Sequence, residues 1–61
     1  MMDIKKLRKE KGLSQDDIAK ALGITQASYS YKEAGIRKFN LEEIKILKKL
    51  LNVTYEELLG D

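Results

Sequence analysis

Glycine at positions 12, 23 and 35, followed within five residues by Ser14, Thr25 and Asn40 respectively, divides this chain into segments with room only for short helices. A helix ends readily on a residue that accepts a left-handed backbone, and starts readily on a short side chain that accepts from an early N–H. Ser14 with Asp17, Asn40 with Glu43 and Thr54 with Glu57 have capping-box spacing, in which the acid reaches back to the cap's own N–H. Thr25 is a further N-cap, and the acids suit the positive end of a helix dipole. The pattern predicts five helices, over residues 3–11, 15–22, 26–34, 41–51 and 55–59.

Apolar spacing agrees with that division. Ile4 and Leu7 mark one face of the first helix, Ile18, Ala19 and Leu22 one face of the second, and Leu41, Ile44, Leu47 and Leu51 run at steps of three or four along the fourth. Ile24, Val53 and Leu58 are placed to close the bundle. No stretch alternates with period two, so the expected class is all-α, with the whole chain, 1–61, as one small domain. Proline, linker-like composition and repeats are all missing.

Composition removes several function classes. Without cysteine or histidine there is no disulfide, thiolate metal site, thiol nucleophile or imidazole base. No catalysis, metal or cofactor is implied. No apolar run approaches the roughly 20 residues that cross a bilayer, and the N-terminus is too polar for a signal peptide, so a soluble, cytoplasmic protein is expected. Net charge is only +2, but Lys5, Lys6, Arg8, Lys9 and Lys11 crowd against a single Glu10, while Glu56, Glu57 and Asp61 close the chain on the acidic side. Such a basic cluster either meets phosphates or forms a solvated helix face.

The most informative unit is SQDDIAKALGITQASYSYKEAG, residues 14 to 35. Two helices joined by a short turn can cross steeply and present the second outward. Close approach needs a small residue in the first, here Ala19. The turn needs positive φ four residues later, here Gly23. Ile18, Leu22, Ile24 and Tyr29 supply the flanking apolar groups. With these in place the stretch resembles the helix-turn-helix of the lambda-repressor-like, Cro/CI family of DNA-binding domains. LRKEKGLSQDDIAKALGIT is similar to the family's opening and FNLEEIKILKKLLNVTYEELL to its fourth and fifth helices. YSYKEAG with FNLEE looks most like small regulators of phages and prophages in Gram-positive bacteria.

The resemblance implies a five-helix domain that reads double-stranded DNA, with the third helix in the major groove and the second across the backbone. At about 100° per residue, Gln26, Ala27, Ser30 and Tyr31 share one face of the third helix. Gln26 can then bond adenine bidentately and Ala27 can touch a thymine methyl, with Ser30 and Tyr31 one turn deeper. Backbone contacts fall to Gln15 at the start of the second helix, to Thr25 and Ser28, and to Arg8, Lys9, Arg37 and Lys38. No small-molecule ligand is implied.

Three residues carry a second reading. Arg8 can instead pair with Glu33, tying the first helix to the third. Tyr29 sits at inward spacing and reads as core. Lys32 points nearly opposite to Gln26, where many relatives place an apolar group; its stem is expected along apolar neighbours with the ammonium reaching solvent or an acid, against the alternative of a phosphate contact. Phe39, Ile46, Leu50, Val53 and Tyr55 exceed what so small a core needs. For this family they imply a twofold homodimer through the fourth helix, placing two third helices about 34 Å apart on a pseudo-palindromic operator; the alternative is a monomer in which Leu50 fills the core. The function implied is a transcriptional regulator, in the manner of a repressor. A competing reading is a protein-interaction module, antitoxin-like or anti-repressor, using the same apolar patch.

Overall fold

Short polar side chains start each of five helices: α1 (Ile4–Glu10), α2 (Gln15–Leu22), α3 (Gln26–Glu33), α4 (Leu41–Leu51) and α5 (Tyr55–Leu59). The computed structural model describes residues 3–59, among which there is no strand; Asp61 lies outside them. All three capping boxes form. Ser14 Oγ accepts from Asp17 N at 3.0 Å while Asp17 accepts from Ser14 N at 2.8 Å. Asn40 and Glu43 exchange the same two bonds at 2.8 Å each, and Thr54 and Glu57 at 3.1 Å each. Thr25 caps α3 through Ser28 N. A cap of this kind stabilises by about 1 kcal/mol, a large contribution in a domain this size.

Helix ends differ from expectation by one residue, in α1 and α3. Asp3 is the N-cap of α1 and lies outside it, accepting from Lys6 N, and Ala34 is the C-cap of α3. Gly23 ends α2 in the left-handed region, φ 72°, and lets Ile24 N bond back to Ala19 O at 3.0 Å. The glycine pattern left the end of α4 unmarked. Asn52 closes it with φ 53° and Val53 N bonded to Lys48 O, since a short polar side chain tolerates that backbone better than most.

Ile4, Ile18, Ala19, Tyr29, Leu47, Leu51 and Leu58 form the buried core, and Leu7, Leu22, Ile24, Phe39, Ile44, Leu50 and Val53 pack partly buried against it. α2 lies against both α3 and α4, which turns the remaining face of α3 outward. The Phe39 ring covers Tyr29 at 6.1 Å between centroids. Leu41 corrects the expected core stripe: it is 67% exposed. As the first residue of α4, its side chain leans back beyond the helix end, past the other helices. No described helix is long and apolar enough to cross a membrane.

Candidate nucleic-acid interface

The outer face of α3 is built by what its inner face must do. Tyr29 is fully buried, and the side chains of Lys32 and Glu33 are 14% and 5% exposed. That orientation leaves Gln26, Ala27 and Tyr31 exposed and Ser30 partly so, on one continuous face. The first two N–H groups of α3, on Gln26 and Ala27, precede the intrahelical ladder, which starts with Tyr29 N to Thr25 O. An acceptor-rich edge or a phosphate approaching here therefore meets free donors and the positive end of the dipole.

Beyond α3 the chain folds back. Ile36 N and Arg37 N both bond to Tyr31 O, at 2.9 and 3.3 Å. The Arg37 guanidinium lies over the Tyr31 ring, 5.6 Å from its centroid, a cation–π contact that places a cation beside the outer face of α3. Lys38 and, on α1, Lys9 are exposed. Thr25 is exposed with its hydroxyl accepting from Ser28 N, while Ser28 is half-buried.

Arg8 stands apart from these cations. It is 7% exposed, donating to Glu33 from Nε at 2.8 Å and Nη2 at 3.3 Å, and to Leu13 O from Nη1 at 2.8 Å. The Glu33 pairing is thus the one realised: each of the three guanidinium nitrogens donates inside the domain, and burial keeps the group from a phosphate outside. Gln15, also expected at the DNA backbone, turns its amide inward to Glu33 at 3.0 Å, and Tyr29 Oη donates to the same carboxylate at 2.6 Å. Glu33 thereby ties α1, α2 and α3 together. Burial works to raise its pKa, but the donors on Arg8, Tyr29 and Gln15 outweigh that and hold it below the usual carboxylate value. The bond to Glu33 raises Arg8 further still. Burial, reinforced by the bond to Glu33, raises the Tyr29 phenol well above its usual value.

Lys32 reaches an acid. Its Nζ lies 2.7 and 2.6 Å from the two carboxylate oxygens of Glu43 in the first turn of α4. Burial opposes ionisation of Glu43, yet Lys32 and the Asn40 N–H prevail and lower its pKa. Lys32 at an inward register signalled that it needs an acid; nothing local marked Glu43, whose spacing already assigned it to the cap.

The expected interface residues are less exposed than their sequence pattern suggested. Phe39, Leu50 and Val53 pack on the core, Ile46 is half-buried, and Tyr55 is 42% exposed beneath the Lys48 ammonium. Ile36, at 70%, is an exposed apolar group that the spacing did not single out.

The model of the helix-turn-helix family matches residues 4–58. The chain is 41% identical over 54 residues to the HTH-type transcriptional regulator AnsR of Bacillus subtilis (strain 168), covering 88% of this chain and 47% of that protein. Two uncharacterized HTH-type transcriptional regulators of the same organism, YqaE and YobD, are 35% and 33% identical over 57 residues each, covering 93% of this chain. The chain spans about half the length of these curated relatives, 47 to 51%.

Proposed function

This chain belongs to the helix-turn-helix family, and from that premise we propose that it binds double-stranded DNA as a sequence-specific transcriptional regulator, with α3 in the major groove. The observation that carries the reading is the division of α3: Tyr29, Lys32 and Glu33 turned inward, Gln26, Ala27 and Tyr31 left outward on one face. Gln26 reads a base edge as donor and acceptor, Ala27 packs on a thymine methyl, and Ser30 and Tyr31 extend the contact. Lys9, Thr25, Ser28, Arg37 and Lys38 hold the DNA backbone, and Gln15 joins them through the backbone N–H at the start of α2. Arg8 is left out of this set because all its bonds are internal.

The role is binding, not catalysis, and the regulator acts in the cytoplasm as a repressor that occupies an operator overlapping a promoter. Two copies pair on DNA through Ile46 and Tyr55, rather than as a standing dimer, because Phe39, Leu50 and Val53 commit part of their apolar surface to the domain's own core. The similarity to HTH-type transcriptional regulators supports the regulatory reading.

Selection from a random duplex pool tests it. A single enriched sequence is expected, with affinity falling steeply as salt rises, and Gln26→Ala should relax the preference at one base position of each half-site. Weak binding to all duplexes, indifferent to Gln26→Ala, would defeat the proposal.

A further inference from the structure

The segment between α3 and α4, residues 34–40, contains no regular element and carries Arg37 and Lys38. Its own burial does little to hold it: every residue in it is exposed except the half-buried Phe39. At its start, Ile36 N and Arg37 N bond to Tyr31 O. At its end, Asn40 N donates to Glu43 Oε1 at 2.8 Å. The same Glu43 carboxylate holds Lys32 Nζ through both oxygens, so one buried group joins the last turn of α3, the end of the loop and the first turn of α4.

An interior ion pair is a weak source of net stability, because desolvation of both charges offsets their attraction, and a well-packed apolar pair often serves as well. What the charged pair adds is direction. An ammonium buried here has to stay within hydrogen-bonding distance of the Glu43 carboxylate, a requirement that narrows the relative placement of the two helices more than apolar contact alone would.

We propose that Lys32 and Glu43 are positioning residues for DNA binding: the pair sets the path of the 34–40 loop so that Arg37 and Lys38 reach the backbone of the same duplex whose groove receives Gln26. The inference rests on the reading of α3 as the recognition helix. Its stake lies in the loop, and its test includes a readout that needs no DNA.

The test uses the double variant Lys32→Met/Glu43→Gln, which removes the pair while leaving a Glu43-position oxygen for Asn40 N, and Lys32→Arg, which preserves the pair. Amide exchange of Ile36, Arg37 and Asn40 is compared with that of Ile18 in the core. Binding to the duplex selected by the wild-type protein is measured where each variant is fully folded by circular dichroism. The double variant should show at least tenfold faster exchange at the three loop amides relative to Ile18, at least tenfold weaker binding, and a salt slope shallower by about two, one for each of Arg37 and Lys38. Base preference at the Gln26 position should be unchanged, and Lys32→Arg should keep wild-type exchange and affinity. Loop exchange equal to wild type, or wild-type affinity and salt slope in the fully folded double variant, overturns the proposal. A wild-type protein that selects no duplex defeats the DNA reading instead, and the loop exchange then decides the role of the pair alone.

Discussion

Replacing Glu33 by glutamine should remove a large part of this domain's stability. The carboxylate accepts from Arg8 at 2.8 and 3.3 Å, from Tyr29 at 2.6 Å and from Gln15 at 3.0 Å, with its side chain 5% exposed and that of Arg8 9%. Glutamine retains one acceptor for Tyr29 or Arg8 but turns an N–H₂ toward other donors and leaves the guanidinium without a counter-charge. Breaking a buried pair by removing one partner costs about 3–5 kcal/mol. Leu13 O still accepts from Arg8, so about 2–4 kcal/mol is expected after that relief. At about 0.05–0.15 kcal/mol per residue the whole domain has roughly 3–9 kcal/mol to lose. Urea and thermal unfolding followed by circular dichroism at neutral pH and fixed concentration measure the change, with a fall in Tm of about 10–30 °C. The exposed pair Lys20–Asp16, with side chains 78% and 52% accessible, is the control: Lys20→Gln should leave the urea midpoint indistinguishable from wild type. Arg8→Met should also cost less in the Glu33→Gln background than alone, by about 1 kcal/mol or more. A loss below about 0.5 kcal/mol for Glu33→Gln would refute the account of Glu33 as the junction of three helices.

Stability should hold a plateau between two pH limits. Glu33 and Glu43 have folded pKa values below their unfolded value of 4.5, so the unfolded chain binds more protons in that range; their contribution is complete above about 4.5 and is lost as pH falls through the folded values. Tyr29 is raised above its unfolded value of 10.0, so its contribution is present below that value and is lost as pH climbs through it toward the folded pKa. Urea midpoints that stay flat through both limits would contradict this. At Gly23 an added Cβ meets nothing within 4 Å, so Gly23→Ala should cost only the left-handed backbone penalty, about 1–2 kcal/mol. Asn52→Gly should stabilise by up to about 1 kcal/mol for the same reason, both read from urea midpoints. Leu41→Gln should change stability by less than about 0.5 kcal/mol while Leu47→Ala costs about 2–5 kcal/mol, although both fall on one stripe of α4 by spacing.

The parts of the site legible in the sequence are those set by helix geometry. Once α3 runs from Gln26 with Tyr29 inward, the outward set of Gln26, Ala27, Ser30 and Tyr31 follows from the rotation per residue. The side-chain partners were less legible in proportion to their separation. Arg8 and Glu33, 25 residues apart, were open between two readings, and the structure places the guanidinium inside. Gln15 and Glu33, 18 residues apart, carry no sequence signal that pairs them. Phe39, Leu50 and Val53 read as surplus because apolar content alone cannot say how much of each side chain the core takes up.

By itself the sequence determined the helices and, to within a residue, their starts, since each start depends on groups three residues apart, as in Ser14–Asp17, Asn40–Glu43 and Thr54–Glu57. Local chemistry of that range acts before any tertiary contact forms. The tertiary structure alone decided where the buried charges go: Glu33 serves α1, α2 and α3 at once, and Glu43 both caps α4 and receives Lys32 from α3. A buried charge has to find its partner at about 3 Å, and which acid lies that close depends on how the helices cross.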